Sequence, residues 1–124
     1  MLVRERIHAD TWVPPWLRFQ HVARYEWARR YCRGTLALDA ACGIGYGSIL
    51  LRAQGAMVSL DIAIEALAEA RVATPPLRLV RGDTTRLPFK SGSFGAFVSF
   101  ETIEHLDDDN AYAAEARRVV QTGG

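Results

Sequence analysis

Four carboxylates and a run of glycines carry the chemistry legible in this chain. Asp39, Asp61, Asp83 and Glu101 each close a short apolar stretch. Gly43, Gly45 and Gly47 follow the first of these acids at every second position, in "LALDAACGIGYGS" (36–48). Glycine lets a backbone come close to a ligand and take up conformations that other residues resist. A loop that runs into a helix also presents unbonded amides. Turns of this kind serve two cofactor types, one carrying phosphates and one carrying a positively charged sulfur.

The acids discriminate between these. Asp39 precedes Gly43 by four residues, and a carboxylate there repels a pyrophosphate. The dinucleotide spacing G-x-G-x-x-G also wants glycine at position 48, which is Ser48. A ligand with a sulfonium and an ammonium group welcomes the acid instead, so the pattern favours S-adenosylmethionine over NAD. Asp39 as a structural acid bonding the loop is compatible with either. Asp61 stands eighteen residues after Gly43, where a carboxylate can accept both hydroxyls of an adenosine ribose; the plainer role is a helix N-cap. Asp83 can reach an adenine edge, or cap its own turn.

Those acids need elements to place them. Residues 1–14 lack a period and read as an irregular lead-in, with the domain proper spanning 15–124. Pro15 to Cys32 has helical periodicity, with Leu17, His21, Tyr25 and Ala28 on one face and Gly34 at the stop. Strands are predicted over 35–40, 56–61, 77–83 and 94–101. Helices are predicted over 46–54 and 63–71, and from near Asp107 to the closing glycines. Alternation of strand and helix implies an α/β fold with a parallel sheet between helical layers, and ligands at the carboxyl ends of its strands. Trp12, Trp16, Phe19 and Tyr25 read as core packing of the first helix, or as a lid or sugar-facing surface.

Composition excludes several classes. Apolar residues make up 49% of the 124 and charged ones 23%, and the formal net charge is +1. This is a folded, not a disordered, composition, and nothing in it advertises nucleic acid or a membrane surface. No apolar run approaches the ~20 residues of a membrane span. The charged N-terminus, with Trp12, Pro14 and Pro15, does not resemble a signal peptide. Two cysteines, Cys32 and Cys42, make no disulfide framework, which suits a cytoplasmic protein. The three histidines show no metal-ligand spacing.

"LALDAACGIGYGS", "VSLDIA", "RGDTTRLPFKSGSFGAFVSFETIEHLDD" and "EARRVVQTGG" together resemble, in order and spacing over residues 35–124, the motifs of class I S-adenosylmethionine-dependent methyltransferases. The similarity is greatest to the small-molecule group called methyltransferase type 11. The lead-in "HVARYEWARRYCRG" is similar to members linked to glycan biosynthesis. The resemblance implies a Rossmann-like three-layer sandwich with strand order 3-2-1-4 and strands five to seven missing, a truncated domain. It implies S-adenosyl-L-methionine as cofactor, S-adenosyl-L-homocysteine as product, and a small-molecule or glycan-type acceptor. Asp39, Ala41, Gly43 and Gly45 would line the methionine part. Asp61 would hold the ribose, Ile62 would pack on the adenine, and Asp83 with Thr84 would meet its amino group. Glu101 would face the methionine end, and His21 and Tyr25 would close over the cofactor. His105, in "E-x-I-E-H", is the candidate base, with a structural histidine as the alternative.

Four positions depart from the group: Ala41 and Ala63 replace a common glycine and serine, Gly95 a common aspartate, and Thr122 a proline. The open edge of the fourth strand invites self-association into a homodimer. Two further readings stand beside the enzyme: a cofactor-binding or interaction module without catalysis, and a dinucleotide oxidoreductase fragment.

Overall fold

A computed structural model of the chain describes residues 15–100 and 109–124. The lead-in 1–14, Glu101 and His105 lie outside the described residues.

The sheet has the predicted topology. Strands β1 (Ala37–Ala40), β2 (Met57–Asp61), β3 (Arg78–Arg81) and β4 (Ala96–Val98) are all parallel, in the order β3-β2-β1-β4. The helices are α1 (Pro15–Cys32), α2 (Tyr46–Leu51), α3 (Ile64–Ala70) and α4 (Asp109–Val119). The strands and the helices α2 and α3 are shorter than the apolar runs suggest, while α1 runs as predicted. The expectation of a Rossmann-like α/β fold with strand order 3-2-1-4 holds.

β1 is buried at all four residues because helices cover both of its faces. One face carries Ala37, Met57, Ala96 and Val98 and packs against Tyr25, Ala28 and Cys32 of α1 and Leu51 of α2. The opposite face carries Leu38, Ala40 and Leu60 and packs with Leu87, Phe94 and Val119 at the end of α4. The edge strand β3 exposes Arg78 and Arg81, charges that discourage pairing with another chain.

The α1 stripe runs His21, Tyr25, Ala28, Cys32, all buried. Trp16 and Phe19 lie on the other side, 62% and 72% exposed, so core packing does not describe them. Gly34 stops the helix with φ 67°, and its amide donates to the Gln54 carbonyl at 3.0 Å. Cys32 and Cys42 are buried and form no disulfide.

Gly95 has a packing reason. A Cβ there would sit 1.8 Å from Thr35 Oγ1, so the approach of the segment before β1 excludes any side chain, the group's common aspartate included. In place of a helix between β3 and β4 runs a turn-rich connection held by Arg118 of α4. The Arg118 guanidinium donates to the carbonyls of Phe89 (2.7 Å) and Leu87 (3.1 Å) and pairs with Glu115 at 2.5 Å.

Candidate active site

The carboxyl ends of β1 and β2 meet at one loop. In the β1–β2 register Asp39 lies beside Ser59, and Asp61 follows two residues on, so all three point to the α1 side of the sheet. The amino-terminal half of that face is apolar and the carboxyl-terminal half is polar.

Asp61 ties the loop to the next helix. Gly43 N–H donates to its Oδ2 at 2.8 Å and Ala63 N–H to its Oδ1 at 2.9 Å. The N-cap of α3 is Ala63, without a side-chain cap bond. Asp61 therefore acts two residues earlier, as an Asx turn leading into the helix, and not as the cap itself. Beside it Ile62 is 54% exposed, an apolar surface next to a carboxylate.

The loop itself is left-handed at three positions. Ala41, Gly43 and Gly45 have φ of 67°, 58° and 91°. For Ala41 this is a backbone conformation that an L side chain resists, about 1 kcal/mol above the alternatives. At Gly43 an added Cβ would meet nothing within 4 Å, so the space over the loop is open there.

Asp39 is fully buried. Tyr25 donates its hydroxyl to Oδ1 at 3.1 Å and Ser48 donates to Oδ2 at 2.6 Å. Ser59 donates in turn to Ser48 Oγ at 2.6 Å. Burial pushes the Asp39 carboxyl up to about 7, against the pull of the Ser48 and Tyr25 hydrogen bonds, with the charge of Asp61 raising it further. Burial, then the Asp39 charge, hold the Tyr25 hydroxyl well above the ordinary tyrosine range. The Tyr25 ring meets Tyr46 and Phe100 edge-on, with centroids 5.7 and 4.9 Å apart, and His21 lies 6.4 Å from Tyr46. These aromatics wall the carboxylate from solvent.

Asp83 takes the role of a turn acid. Its Oδ1 accepts from Thr85 N–H at 2.8 Å and from Thr85 Oγ1 at 2.7 Å. The Thr85 amide and hydroxyl hold its carboxyl below the usual range. Thr84, the predicted neighbour, contributes neither bond. Asp39, Tyr25, Gly43, Gly45 and Asp61 are thus brought together, Ile62 flanks them, and Asp83 stands at the next strand end along.

The sequence reading missed Ser59 and Thr85, and it took Ser48 only as an absent glycine. The signal for Ser59 is a hydroxyl inside an apolar strand, two residues before a buried acid. Among the described residues no group of histidines, cysteines and acids has the arrangement of a metal site.

A parallel sheet ordered β3-β2-β1-β4, with a glycine loop after β1 and an acid after β2, defines a Rossmann-like nucleoside-binding fold. The Methyltransferase domain family matches residues 38–124, and the chain belongs to that family. The chain is 32% identical over 110 residues to a Mycolicibacterium smegmatis protein named "Probable S-adenosylmethionine-dependent methyltransferase", covering 88% of this chain and 42% of that one. It is 37% identical over 92 residues to the demethylmenaquinone methyltransferase of Beutenbergia cavernae, covering 73% and 38%. Among solved structures, a Haloferax volcanii chain in complex with the Trm112 methyltransferase activator superposes with TM-score 0.73 at 28% identity, covering 86% of this chain and 50% of that one. The chain therefore spans less than half the length of these two sequence relatives.

The family implies S-adenosylmethionine as cofactor. The residues present fit it: open space over Gly43, a carboxylate at Asp61, an apolar face at Ile62, and no added positive charge in the loop to cradle a phosphate.

Proposed function

We propose that this chain supplies the cofactor half of an S-adenosylmethionine-dependent methyltransferase whose acceptor is a small molecule or a glycan-type compound. The observation that carries the reading is the Asp61 carboxylate, held by the Gly43 and Ala63 amides beside the exposed Ile62. That is an acceptor for ribose hydroxyls with an apolar platform for a base next to it. The small-molecule acceptor is favoured by the Beutenbergia relative, whose name denotes a quinone-type compound.

When bound, the cofactor supplies an electrophilic methyl group for direct displacement by the acceptor. The protein's part is alignment and exclusion of water. Asp61 orients the nucleoside, Ala41, Gly43 and Gly45 let the loop lie against the methionine part, and Tyr25 with Phe100 keeps water from the end of β1. Asp83 with Thr84 is assigned the adenine edge, and Glu101 the methionine end. His105 is assigned as the base where the acceptor needs one. A cytoplasmic location is part of the same reading, supported by two cysteines that form no disulfide; among the described residues no helix is long and apolar enough to cross a membrane.

Self-association at β4 is the proposed partner arrangement. Just before β4, Phe94 forms an isolated bridge with Val120, and a groove of about 510 Å³ lies beside it, lined by Phe97, Arg117, Val120 and Gln121. A monomer in sedimentation with a fully exchanging β4 edge overturns it.

Calorimetry tests the cofactor assignment. S-adenosylhomocysteine should bind and NAD should not, and Asp61→Ala should weaken binding about tenfold or more, the loss of hydrogen bonds to a charged group. Binding of NAD alone, or equal affinity in both proteins, overturns it. Transfer of labelled methyl to an acceptor separates an enzyme from a binding module.

A further inference from the structure

Asp39 is a buried acid held by hydroxyls from two other elements. Two hydroxyls bond to it, Tyr25 from α1 and Ser48 from α2, and a third, Ser59 of β2, stands behind Ser48. Ser48 and Ser59 are themselves fully buried. A buried polar side chain without a bond is expensive, so each hydroxyl in such a place must have an assigned direction. Here the directions agree: Ser59 donates to Ser48 and Ser48 donates to the carboxylate. Donors aligned in series strengthen one another in a low dielectric.

We propose that Ser48 and Ser59 are positioning residues for the methionine end of the cofactor, a hydroxyl relay reaching from the middle of β2 that orients the Asp39 carboxyl group. The Ser59 hydroxyl bonds Ser48 and not the Asp39 carboxylate. It acts by holding the Ser48 hydroxyl proton on the Asp39 side. The placement toward the methionine end rests on the function proposed above; the orienting of Asp39 does not.

The groups around Asp39 work in opposite directions. From α1, Tyr25 donates to it and the Cys32 thiol feels its charge. From β2, Asp61 opposes its ionisation. Cys42 of the loop and Tyr46 of α2 act on Tyr25, and His21 of α1 faces Tyr46. β4 offers apolar Val98 in register with Asp39. Without the relay, burial and Asp61 favour the neutral acid, which has no attraction for an ammonium group.

The test follows the Asp39 carboxyl carbon by NMR against pH in the free chain. Ser48→Ala should move the midpoint up by about one unit, the worth of one hydrogen bond to a charged group. Ser59→Ala, which removes no bond to Asp39, should still move it up by a few tenths of a unit. Ser59→Cys keeps a β-substituent with a weaker donor, and it should shift the midpoint in the same direction if Ser59→Ala fails to fold.

A midpoint in the Ser59 variants equal to wild type, with lowered thermal stability alone, means a merely structural hydroxyl and overturns the relay. S-adenosylhomocysteine affinity at pH 6 and pH 8 is the second arm. Weaker binding of Ser48→Ala at pH 6 with recovery at pH 8 ties the relay to the cofactor. Absence of binding by wild type at both values overturns the function and the placement toward the methionine end, while the NMR midpoints still decide the relay.

Discussion

The ring of Tyr25 lies over Gly47 so closely that a Cβ at position 47 would stand 2.2 Å from its Cζ. The third glycine of the loop therefore answers to α1, not to a ligand. Gly47→Ala should push Tyr25 off Asp39 and destabilise the fold by about 1–3 kcal/mol, the usual effect of overpacking a core. Urea unfolding measures this. Adding Tyr25→Ala should recover part of the loss, and strict additivity of the two changes contradicts the contact.

Asp39 gives the fold a pH dependence of unusual sign. Its carboxyl is raised in the folded state to about 7 from an ordinary 3.8, so between those values the folded chain holds a proton that the unfolded chain has lost. Its stabilising contribution is complete below pH 3.8 and is lost as pH rises through about 7. Asp39→Asn removes this titration. Relative to wild type it should gain stability from pH 5 to pH 8, on the order of a few kcal/mol, as read by denaturant midpoints along the pH series. A difference that does not change with pH contradicts the shifted carboxyl. Asp83 and Glu115, both lowered, act at the acid end instead: their contribution is present above the ordinary carboxylate range and lost as pH falls below it.

Ala41 holds φ 67° where a glycine is at ease. Ala41→Gly should therefore stabilise the chain by about 0.5–1 kcal/mol, relief of strain exceeding the entropy added to the unfolded state. Thermal unfolding checks the sign, and a lower midpoint in the glycine variant contradicts it.

Ile62 separates binding from folding. It is more than half exposed, so Ile62→Ala should change stability by no more than about 0.5 kcal/mol. Loss of apolar contact with an adenine should still weaken S-adenosylhomocysteine about five- to tenfold in calorimetry. Unchanged affinity removes Ile62 from the adenine platform.

The order of elements was legible in the sequence because apolar runs of strand length alternate with helical stripes, and parallel strands need such crossovers. The positions of Asp39 and Asp61 at strand ends were equally legible, since an acid that closes an apolar run has nowhere else to go. The proposal of a cofactor loop rests on local facts: glycines, an acid ahead of them, and a serine where a dinucleotide loop wants glycine. What Asp39 does was decided only by the tertiary structure, because its partners come from α1, α2 and β2 and only the packing of α1 on the sheet brings Tyr25 to it. The same holds for the glycines. By spacing Gly43 and Gly47 look alike, yet one opens on empty space and the other on a tyrosine ring. Asp61 shows the two levels at once: its place at the end of an apolar run was legible in the chain, and only the fold showed that its carboxylate clasps the loop and leads into the next helix.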